Sequence, residues 1–502
     1  MNCIVGVDIG TTNVKALAMS VADGSVIAQA SAPVITYFPK PTYCEQDPER
    51  IWQDLCRVLD ELVRQINRQG SAIEAVCFSS AMHSLLAVDT DGKLLTNAII
   101  WSDNRAERQA QALRPDQSPI GRDIYRHTGT PIHPMTPLCK LAWLRDNQPR
   151  LLKEATRFIS IKEYIWHKLT GHYWIDYSVA TAMGLFDSQA RDWYAPALAH
   201  VGIRADQLSE PKPTTTCVLY QKDRVSGQTA LPNGLTLYIG ASDGCLANLG
   251  AGAIEPGITT LTIGTSGAIR RTSGKPLRER QGRLFSYILD VDEGGKDAYF
   301  VVGGPTNNGA NVLQWLAESL TRQDVADTLA EAELAPAGSD GLLFLPYLQG
   351  ERAPLWNANV RGAYLNVGWQ HTRAHFIRAA LEGVMFNLLS IEKMLARHTG
   401  PTRVIHANGG FAQSGFWVQM LADIFGVPVR LNASNESGAI GAILLAMKAQ
   451  GLVGSLAEAA RRVEFGQTFD PNPDHHRVYR NVFKRFQAAC TTELYSGSRV
   501  AL

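Results

Sequence analysis

The chain has 502 residues, of which 45% are hydrophobic and 19% are charged, and its formal net charge at pH 7 is +1. That length is comfortable for two domains, and the nearly balanced charge gives no electrostatic reason to expect nucleic acid or an anionic membrane as a partner. No apolar run approaches the roughly 18–20 residues that span a bilayer, and neither a signal peptide nor a zinc-like spacing of the eight cysteines is evident, so we expect a cytoplasmic protein with reduced thiols.

The first half of the chain is predicted to open with a β meander and then to alternate strands and helices. A helix is expected to begin after Asp47, with Pro48 in its first turn, and to end at Gly70. The region from Arg122 to about Pro213 is predicted to be helical and irregular, as in an insertion that shapes a pocket. The predicted strands of this half span 4–8, 15–20, 25–31, 75–79, 85–89 and 235–239.

A domain boundary is expected near 245–255, which divides the chain into domains 1–245 and 246–502. One helix of the second half is predicted to start with Ser414 as its N-cap. Another, over 437–450, has small residues that permit the close approach of a neighbour or a ligand. The other predicted elements of this half are strands at 259–263, 283–289, 298–302 and 403–407 and a helix from about 310 to 320.

Two short segments share one pattern, in which a strand breaks into a glycine followed by hydroxyl residues. They are Asp8–Thr12 and, 254 positions later, Thr262–Ser266. Such a turn brings backbone N–H groups and hydroxyls close to a phosphate, and two of them suggest a duplicated fold that holds one polyphosphate from both sides. The first segment carries Asp8 where the second carries Thr262, so we expect the two turns to have different roles.

Phosphoryl transfer needs donors around the transferred group, a divalent cation and an oriented acceptor oxygen. The chain has neither a Walker A loop nor a G-x-G-x-x-G turn after a strand. Thr11 and Thr12 can supply hydroxyl and N–H donors, as can Thr265 and Ser266. Lys15 follows the first turn closely enough to supply a positive charge.

Two carboxylates are candidates for the metal and for the chemistry. Asp8 is a reasonable anchor for Mg²⁺, through water, because Mg²⁺ sheds its waters reluctantly; the alternative is an aspartate that stabilises the turn. Asp243 follows a buried strand between small residues, where a carboxylate can accept the proton of an attacking hydroxyl and align its oxygen. The alternative for Asp243 is a helix N-cap.

Candidate contacts for a polyol lie in the first half of the chain. His83 follows Met82 at the end of a strand and could hydrogen-bond a hydroxyl, although a lone histidine is more often structural. Asp103 and Arg105 either form an ion pair or present a carboxylate and a guanidinium to hydroxyls. Weaker candidates are Trp101, Trp143, His127 and His133, of which the tryptophans are more typical of core residues.

These segments resemble the FGGY family of carbohydrate kinases, in the sugar kinase/Hsp70/actin superfamily, nearly end to end. Asp8–Thr12 resembles the family's first phosphate motif, Gly264–Gly267 its second and Gly409–Ser414 its adenosine motif, and Met135–Leu144 is close to a family signature. The resemblance implies an α/β fold of two actin-like (ribonuclease H-like) domains with an ATP and sugar cleft between them. The N-terminal domain would bind sugar and carry the first phosphate motif, and the C-terminal domain would bind nucleotide.

The resemblance also implies ATP and Mg²⁺ as cofactors and roles for single residues. Asp243 matches the catalytic base, and Asp8 matches a carboxylate of the Mg²⁺ site, to which we also assign Asp243. The ATP contacts implied are Thr11, Thr12, Lys15, Gly264, Thr265, Gly309 or Ala310, Gln314, Gly410 and Ser414. The substrate contacts implied are Met82, His83, Asp103, Arg105 and Asp243.

Family members differ at the segment that reads Ala81–Ser84 here. Glycerol kinases carry an Arg-Glu pair there, which this chain lacks, whereas its Met-His pair resembles xylulose kinases and gluconate kinases. Xylulose kinases usually have Gly-Gln before this pair and Gly after it, but here Ser80-Ala81 precedes the pair and Ser84 follows it. Together with Thr128–Met135, these differences favour gluconate.

The leading prediction is an ATP- and Mg²⁺-dependent kinase that phosphorylates a terminal hydroxyl of the sugar acid gluconate. Arg105, His133 or a helix N-terminus would meet the carboxylate, and the sequence does not choose among them. Xylulose kinase, or another pentulose kinase, is the alternative within the family, and a nucleotide-gated clamp of the Hsp70/actin type without sugar turnover is the alternative outside it. The expected partners are small molecules, without nucleic acid or membrane, and a homodimer is left open.

Overall fold

The computed structural model describes residues 2–222, 229–292 and 298–490. The strands are β1 (Asn2–Ile9), β2 (Asn13–Ser20), β3 (Val26–Pro33), β4 (Glu45–Gln46), β5 (Ala72–Ser80), β6 (Leu86–Val88), β7 (Ala98–Ile99), β8 (Arg157–Ile159), β9 (Trp174–Asp176), β10 (Phe186–Asp187), β11 (Asp192–Trp193), β12 (Glu210–Lys212), β13 (Cys217–Leu219), β14 (Thr236–Ser242), β15 (Ile258–Ile263), β16 (Gly267–Ser273), β17 (Phe285–Val291), β18 (Ala298–Thr306), β19 (Leu343–Leu345), β20 (Ala363–Leu365), β21 (Val404–Asn408), β22 (Val429–Asn432) and β23 (Phe465–Phe469). The helices are α1 (Pro48–Arg68), α2 (Glu107–Ala112), α3 (Pro119–Thr128), α4 (Pro137–Asn147), α5 (Pro149–Glu154), α6 (Ile161–Thr170), α7 (Tyr177–Thr181), α8 (Ala195–Val201), α9 (Asp243–Gly250), α10 (Ala310–Trp315), α11 (Val325–Ala332), α12 (Arg373–Thr399), α13 (Gly415–Phe425), α14 (Ser437–Ala449), α15 (Leu456–Ala460) and α16 (Pro473–Cys490).

The chain forms two compact units, each assembled from separate segments. The first unit takes in Met1–Ile254, Ser273–Val301 and Glu436–Val463. The second unit comprises the segments Glu255–Thr272, Val302–Asn435 and Glu464–Leu502. The expected division into domains 1–245 and 246–502 stays a prediction. The two units are defined by packing, and each combines segments that are distant in sequence.

The first unit is built on a sheet with the strand order β13-β14-β5-β1-β2-β3. β1 runs antiparallel to β2 and parallel to β5, and β5 runs parallel to β14. Helix α1 packs on β2 and β3 with Leu55 and Leu59 fully buried. Asp47 caps this helix by accepting the N–H groups of Glu49 and Arg50. The predicted meander and the predicted helix start are therefore confirmed.

The sheet of the second unit repeats this topology. Six successive strands of its seven-stranded sheet have the order β18-β16-β15-β21-β22-β23, with β15 antiparallel to β16 and parallel to β21. β22 is parallel to β21 and antiparallel to β23, as β14 is parallel to β5 and antiparallel to β13. Asp8 and Thr262 are each the last residue but one of their strands, β1 and β15, so they occupy equivalent positions. The duplication inferred from the two turns is present in the strand order.

The region predicted to be helical and irregular contains α3 to α8 and short strands. β9 pairs with β12, and β10 pairs with β11, each as a two-stranded sheet. Helix α4 is buried on every side from Pro137 to Leu144. Because a helix that is buried on all sides belongs to the interior of a protein, α4 forms part of the core of the first unit.

Helix α12 is the long core helix of the second unit. Its 27 residues could cross a membrane by length and composition, but 83% of its apolar window is buried in the protein. Two of its buried charged side chains pair with each other, since Arg378 Nε donates to Glu382 Oε1 at 3.0 Å. These paired charges interrupt the apolar run in the sequence and are neutralised in the fold.

Helices α9 and α14 of the first unit pack closely through glycines. A Cβ at Gly441 would lie 1.9 Å from the carbonyl oxygen of Leu246, and one at Gly250 would lie 1.9 Å from that of Ser437. Gly6 in β1 faces the same helix, since its Cβ would lie 2.1 Å from the carbonyl oxygen of Ala439. The small residues predicted in this helix therefore admit a neighbouring helix and strand.

Candidate active site

The carboxyl ends of three parallel strands bring the candidate carboxylates of the first unit to one edge of its sheet. Asp8 in β1 pairs in register with Ser79 in β5, and Ser80 pairs with Ser242 in β14. Asp243 follows Ser242 directly. Parallel strands end at the same edge, which is where ligands bind in many α/β sheets.

Asp8 lies in extended strand and not in a turn, so the turn-stabilising alternative is not what the structure shows. Ser79 Oγ donates to Asp8 Oδ1 at 2.7 Å. Burial raises the pKa of Asp8, and the Ser79 hydrogen bond and nearby Lys15 oppose that rise. Gly438 leaves room beside the other oxygen, because a Cβ there would lie 3.1 Å from Oδ2.

Asp243 is the first residue of α9, and the N-cap position belongs to Ser242. Asp243 Oδ1 accepts the N–H of Gly244 at 2.7 Å. The backbone two residues before Asp243 is held by the buried Lys162, which donates to the carbonyl oxygen of Ala241 at 3.0 Å. The N-cap alternative for Asp243 is therefore not observed, and its carboxylate stands at the start of a helix.

The first turn contains the predicted phosphate donors. It is closed by the Gly10 N–H, which donates to the carbonyl oxygen of Asn13 at 3.0 Å. Trp101 Nε1 donates to Thr11 Oγ1 at 3.3 Å, and Thr12 is exposed. Lys15 Nζ lies 2.9 Å from Glu436 Oε1 in a part-exposed ion pair. Trp101 thus contacts the turn directly, although the sequence indicated a core residue.

His83 follows β5, at the same edge of the sheet as Asp8 and Asp243, and directly follows the half-buried Met82. It is buried, with a backbone φ of 69°. Its Nδ1 lies 2.8 Å from the carbonyl oxygen of Ala182. A carbonyl can only accept, so Nδ1 carries a proton and donates to it.

Asp103 and Arg105 form a buried ion pair, which is one of the two interpretations left open by the sequence. Arg105 Nη2 lies 2.8 Å from Asp103 Oδ2 and 2.7 Å from Glu45 Oε1. The N–H of Cys44 donates to Asp103 Oδ2 at 2.7 Å, and the guanidinium lies 3.8 Å from the centre of the Tyr43 ring. Both carboxylates raise the pKa of Arg105 against the opposing effect of its burial.

In the second unit, the predicted phosphate turn packs against two glycines from other segments. The N–H of Ala310 donates to the carbonyl oxygen of Gly264 at 2.8 Å, and the N–H of Asn311 donates to that of Thr265 at 3.2 Å. A Cβ at Gly309 would lie 2.7 Å from the Gly264 carbonyl oxygen, and one at Gly409 would lie 2.4 Å from that of Ile263. These positions exclude side chains, so backbone of three segments meets around this turn.

The other nucleotide candidates lie close by in the chain but differ in their surroundings. Gly410 has open space where a Cβ would stand, and Ser414 caps α13 by accepting the N–H of Trp417 at 3.2 Å, as predicted. Gln314 is exposed on α10, where its amide donates to Glu318 Oε1 at 2.5 Å.

Several residues that shape these sites were missed by the sequence analysis. Ser79 contacts Asp8, Lys162 holds the backbone before Asp243, and Lys140 donates to the His83 carbonyl oxygen at 2.5 Å. The buried Glu351 accepts from Thr306 Oγ1 at 2.6 Å and from the Asn307 N–H at 2.7 Å, and so supports the segment before Gly309. The sequence signal that could have identified Lys140 is a single charged residue within the otherwise apolar start of α4.

Within residues 2–222, 229–292 and 298–490, no group of three or more His, Cys, Asp or Glu side chains could hold a metal ion. A protein site with one or two carboxylates is the kind that Mg²⁺ uses, because it keeps several waters and also binds substrate phosphates. The cysteines of the described segments are free, and Cys3, Cys77 and Cys139 among them are buried.

Comparison with known proteins identifies relatives over nearly the full length. Residues 3–250 match the N-terminal domain of the FGGY family of carbohydrate kinases, and residues 259–450 match its C-terminal domain. A gluconokinase from Bacillus subtilis is 39% identical over 495 residues, which cover 96% of this chain and 94% of that protein. A xylulose kinase from the same organism is 29% identical over 490 residues, covering 97% of this chain and 96% of that one.

Two solved structures share the fold closely. A gluconate kinase from Lactobacillus acidophilus has a TM-score of 0.92 and 33% identity, covering 99% of each chain. A xylulose kinase from the same species has a TM-score of 0.92 and 33% identity, covering 98% of each chain. The predicted two-domain α/β fold of the actin-like type is confirmed, and the clamp without sugar turnover is set aside. The chain belongs to the FGGY family of carbohydrate kinases, phosphotransferases that use an alcohol group as acceptor.

Proposed function

We propose that the protein phosphorylates the terminal hydroxyl of D-gluconate, with ATP as donor, to give 6-phosphogluconate. The observation that carries the proposal is the 39% identity to a gluconokinase from Bacillus subtilis, against 29% to a xylulose kinase from that organism. The residues around Met82-His83, which are Ser80-Ala81 before the pair and Ser84 after it, support the same choice. The two substrates, gluconate and ATP, are small metabolites, so we propose that the reaction takes place in the cytoplasm.

Asp243 is the proposed catalytic base. Its carboxylate accepts the proton of the acceptor hydroxyl while that oxygen forms a bond to the transferred phosphorus, and the bond from phosphorus to the departing ADP breaks. A general base contributes about 10²–10⁴-fold to such a step. The hydrogen bond from the Gly244 N–H fixes one carboxylate oxygen of Asp243.

The acceptor is proposed to contact His83 and Met82, which follow β5 at the same sheet edge as Asp243. His83 Nε2 would accept a hydrogen bond from a hydroxyl of the acceptor, because Nδ1 already donates to the carbonyl oxygen of Ala182. Asp103 and Arg105 were expected to bind the substrate. Since Arg105 is bound by two carboxylates, we propose that this pair acts by shaping the wall of the site.

The nucleotide is proposed to bind backbone and hydroxyl donors of both turns and of the adenosine motif. The proposed contacts are Thr11, Thr12, Lys15, Gly264, Thr265, Gly309, Gln314, Gly410 and Ser414. The second unit fits phosphates because Gly264 and Gly410 leave open space where a Cβ would stand.

Mg²⁺, when bound, neutralises charge on the phosphates. Asp8 fits this role, since it is a carboxylate whose second oxygen faces Gly438 instead of a side chain. Asp8 and Asp243 are the residues we propose to hold the ion, with water completing its coordination.

Xylulose is the second candidate acceptor, and one observation keeps it open. The solved xylulose kinase from Lactobacillus acidophilus matches the fold with the same TM-score and identity as the gluconate kinase. Fold similarity therefore does not separate the two acceptors, and the difference lies in the residues around the acceptor.

The test is ADP release by the full chain with Mg²⁺, ATP and one acceptor at a time from gluconate, xylulose, ribulose and glycerol. We expect the highest kcat/KM with gluconate. The kcat/KM for each pentulose should be lower by at least about tenfold, because an acceptor without a carboxylate leaves polar groups of the site unpaired when it binds. A pentulose with the highest kcat/KM would overturn the choice of gluconate.

A further inference from the structure

Helix α4 carries a lysine inside the core of the first unit. Lys140 has no exposed surface, and its neighbours along the helix from Pro137 to Leu144 are buried as well. Burying an ammonium group costs several kcal/mol unless every N–H finds an acceptor. The contacts of this side chain therefore reveal what stabilises it there.

The ammonium group of Lys140 has three acceptors, and all of them are backbone carbonyl oxygens. Nζ lies 2.5 Å from the oxygen of His83, 3.0 Å from that of Ile99 and 2.9 Å from that of Ile100. An ammonium has three N–H donors, so each one is used. Lys140 thus ties the loop after β5 to the end of β7 through a single cation.

The first of these acceptors belongs to a residue with an unfavourable backbone. His83 has a φ of 69°, a left-handed conformation that costs a non-glycine residue about 1 kcal/mol or more. Its ring is held separately by Nδ1, which donates to the Ala182 carbonyl oxygen at 2.8 Å. The surroundings therefore hold His83 at two points, the carbonyl through Lys140 and the ring through Ala182.

The geometry points to Lys140 as a positioning residue for acceptor binding, which acts by holding the His83 backbone so that Nε2 faces the acceptor hydroxyls. This inference rests on the proposed role of His83 as an acceptor contact. A lysine with only a structural role would lower stability when removed and leave the KM for the acceptor unchanged. The inference is therefore tested by the KM for the acceptor and by the coupling between Lys140 and His83.

The experiment is a double-mutant cycle with Lys140→Met and His83→Ala in the full chain, using whichever acceptor of the panel is turned over fastest. We expect Lys140→Met to raise the KM for the acceptor about tenfold, the effect of losing one buried hydrogen bond to a positioned group, with the KM for ATP unchanged. In the His83→Ala background the same substitution should change the acceptor KM less than about twofold, because residues that act as a unit are not additive.

The outcomes separate the two proposals. If His83→Ala leaves the acceptor KM unchanged, the acceptor role of His83 fails. If His83→Ala raises it and Lys140→Met then adds its full effect, His83 keeps its role and the positioning by Lys140 is overturned. Lys140→Gln, a smaller change that retains two N–H donors, replaces Lys140→Met if the latter does not fold, and a partial rise in the acceptor KM is expected.

Tyr125→Phe is the matched control for lost stability. Tyr125 is buried in the same unit, and its hydroxyl donates to the carbonyl oxygen of Leu284 at 2.7 Å. The variant loses this hydrogen bond and the one that Tyr125 accepts from the Glu279 N–H, whereas Lys140→Met loses three hydrogen bonds to carbonyls, of which one is that of His83. We expect a lower Tm with an unchanged acceptor KM, and a KM that rises as it does in Lys140→Met would overturn the positioning role.

Discussion

The two candidate carboxylates of the first unit occupy different surroundings although they share one sheet edge. Asp8 accepts a hydrogen bond from the Ser79 hydroxyl and has a pKa raised by burial. Asp243 stands at the start of α9, where its Oδ1 accepts the N–H of Gly244. The two carboxylates are therefore held by different partners, a serine hydroxyl for Asp8 and a backbone N–H for Asp243.

Asp243→Asn should remove the proton acceptor and keep the shape of the side chain. We expect kcat to fall about 10²–10⁴-fold, measured by ADP release. The Kd for ADP in the absence of Mg²⁺ should be unchanged, measured by isothermal titration calorimetry, because Asp243 is not among the proposed nucleotide contacts. The control is Asp89→Asn, because Asp89 also accepts backbone N–H groups but lies in a turn. Near-parental turnover by Asp243→Asn would show that another group accepts the proton.

Arg105→Met should reduce stability more than it reduces acceptor binding. The substitution leaves the fully buried Asp103 carboxylate with the Cys44 N–H but without its cation. Breaking a buried ion pair from one side costs about 3–5 kcal/mol, which urea unfolding can measure. Arg64→Met is the control, since the Arg64–Glu61 pair is on the surface and such pairs contribute about 0–1 kcal/mol. A raised acceptor KM with unchanged stability would restore Arg105 as a substrate contact.

The stability of the protein should depend on pH through Lys140. Burial lowers the pKa of Lys140 from 10.5 to about 7, and the neighbouring Asp103 opposes this while Arg105 adds to it. Between these values the unfolded chain binds more protons at this position than the folded protein does, so the contribution of Lys140 to the free energy of unfolding rises with pH.

We therefore expect the difference in unfolding free energy between the parent and Lys140→Met to grow in the parent's favour from pH 7 to pH 9, by up to about 1.4 kcal/mol per pH unit. Urea unfolding of both proteins at several pH values measures this difference and cancels the groups they share. A difference that is constant over this range would mean that Lys140 keeps its proton.

Individual elements were predicted well where a local signal defines their ends. Asp47 before α1 and Ser414 before α13 both cap their helices as expected, because capping depends on residues adjacent in sequence. The helix predicted from about 310 to 320 begins at Ala310 as expected, but it passes into a turn of π-helix at Leu316–Thr321. A wider turn does not change the apolar pattern over one or two turns, so periodicity does not reveal it.

The α9–α14 packing depends on glycines that permit no side chain. Gly441→Ala would place a Cβ 1.9 Å from the carbonyl oxygen of Leu246, so one helix must shift. We expect a loss of about 1–3 kcal/mol, the usual cost of overpacking, seen as a lower Tm. The control is Gly274→Ala, where nothing lies within 4 Å of the added Cβ. Equal Tm values for the two variants would contradict the close packing of these helices.

Across the whole molecule, the sequence predicted the duplicated turns and singled out Asp8 and Asp243. It did so because a strand followed by a glycine turn is a local pattern. The shared sheet edge of the two carboxylates follows from the parallel pairing of their strands with β5, which was not predicted. The supports of these residues could not be predicted in the same way. Lys140, Lys162 and Ser79 act through contacts with residues distant in sequence, and their partners are mostly backbone carbonyls, which leave no pattern in the residues.

The division of the chain into units predicts how a fragment behaves. Residues 1–254 contain most of the first unit but lack β17 and α14, which complete its core around Leu246 and Leu249. Without them this apolar surface is exposed to water, so we expect the isolated fragment to lack a cooperative urea transition and near-UV circular dichroism. Co-expression with residues 255–502 is the control, since it returns the missing segments. A cooperative transition of the isolated fragment would show that 1–254 folds independently.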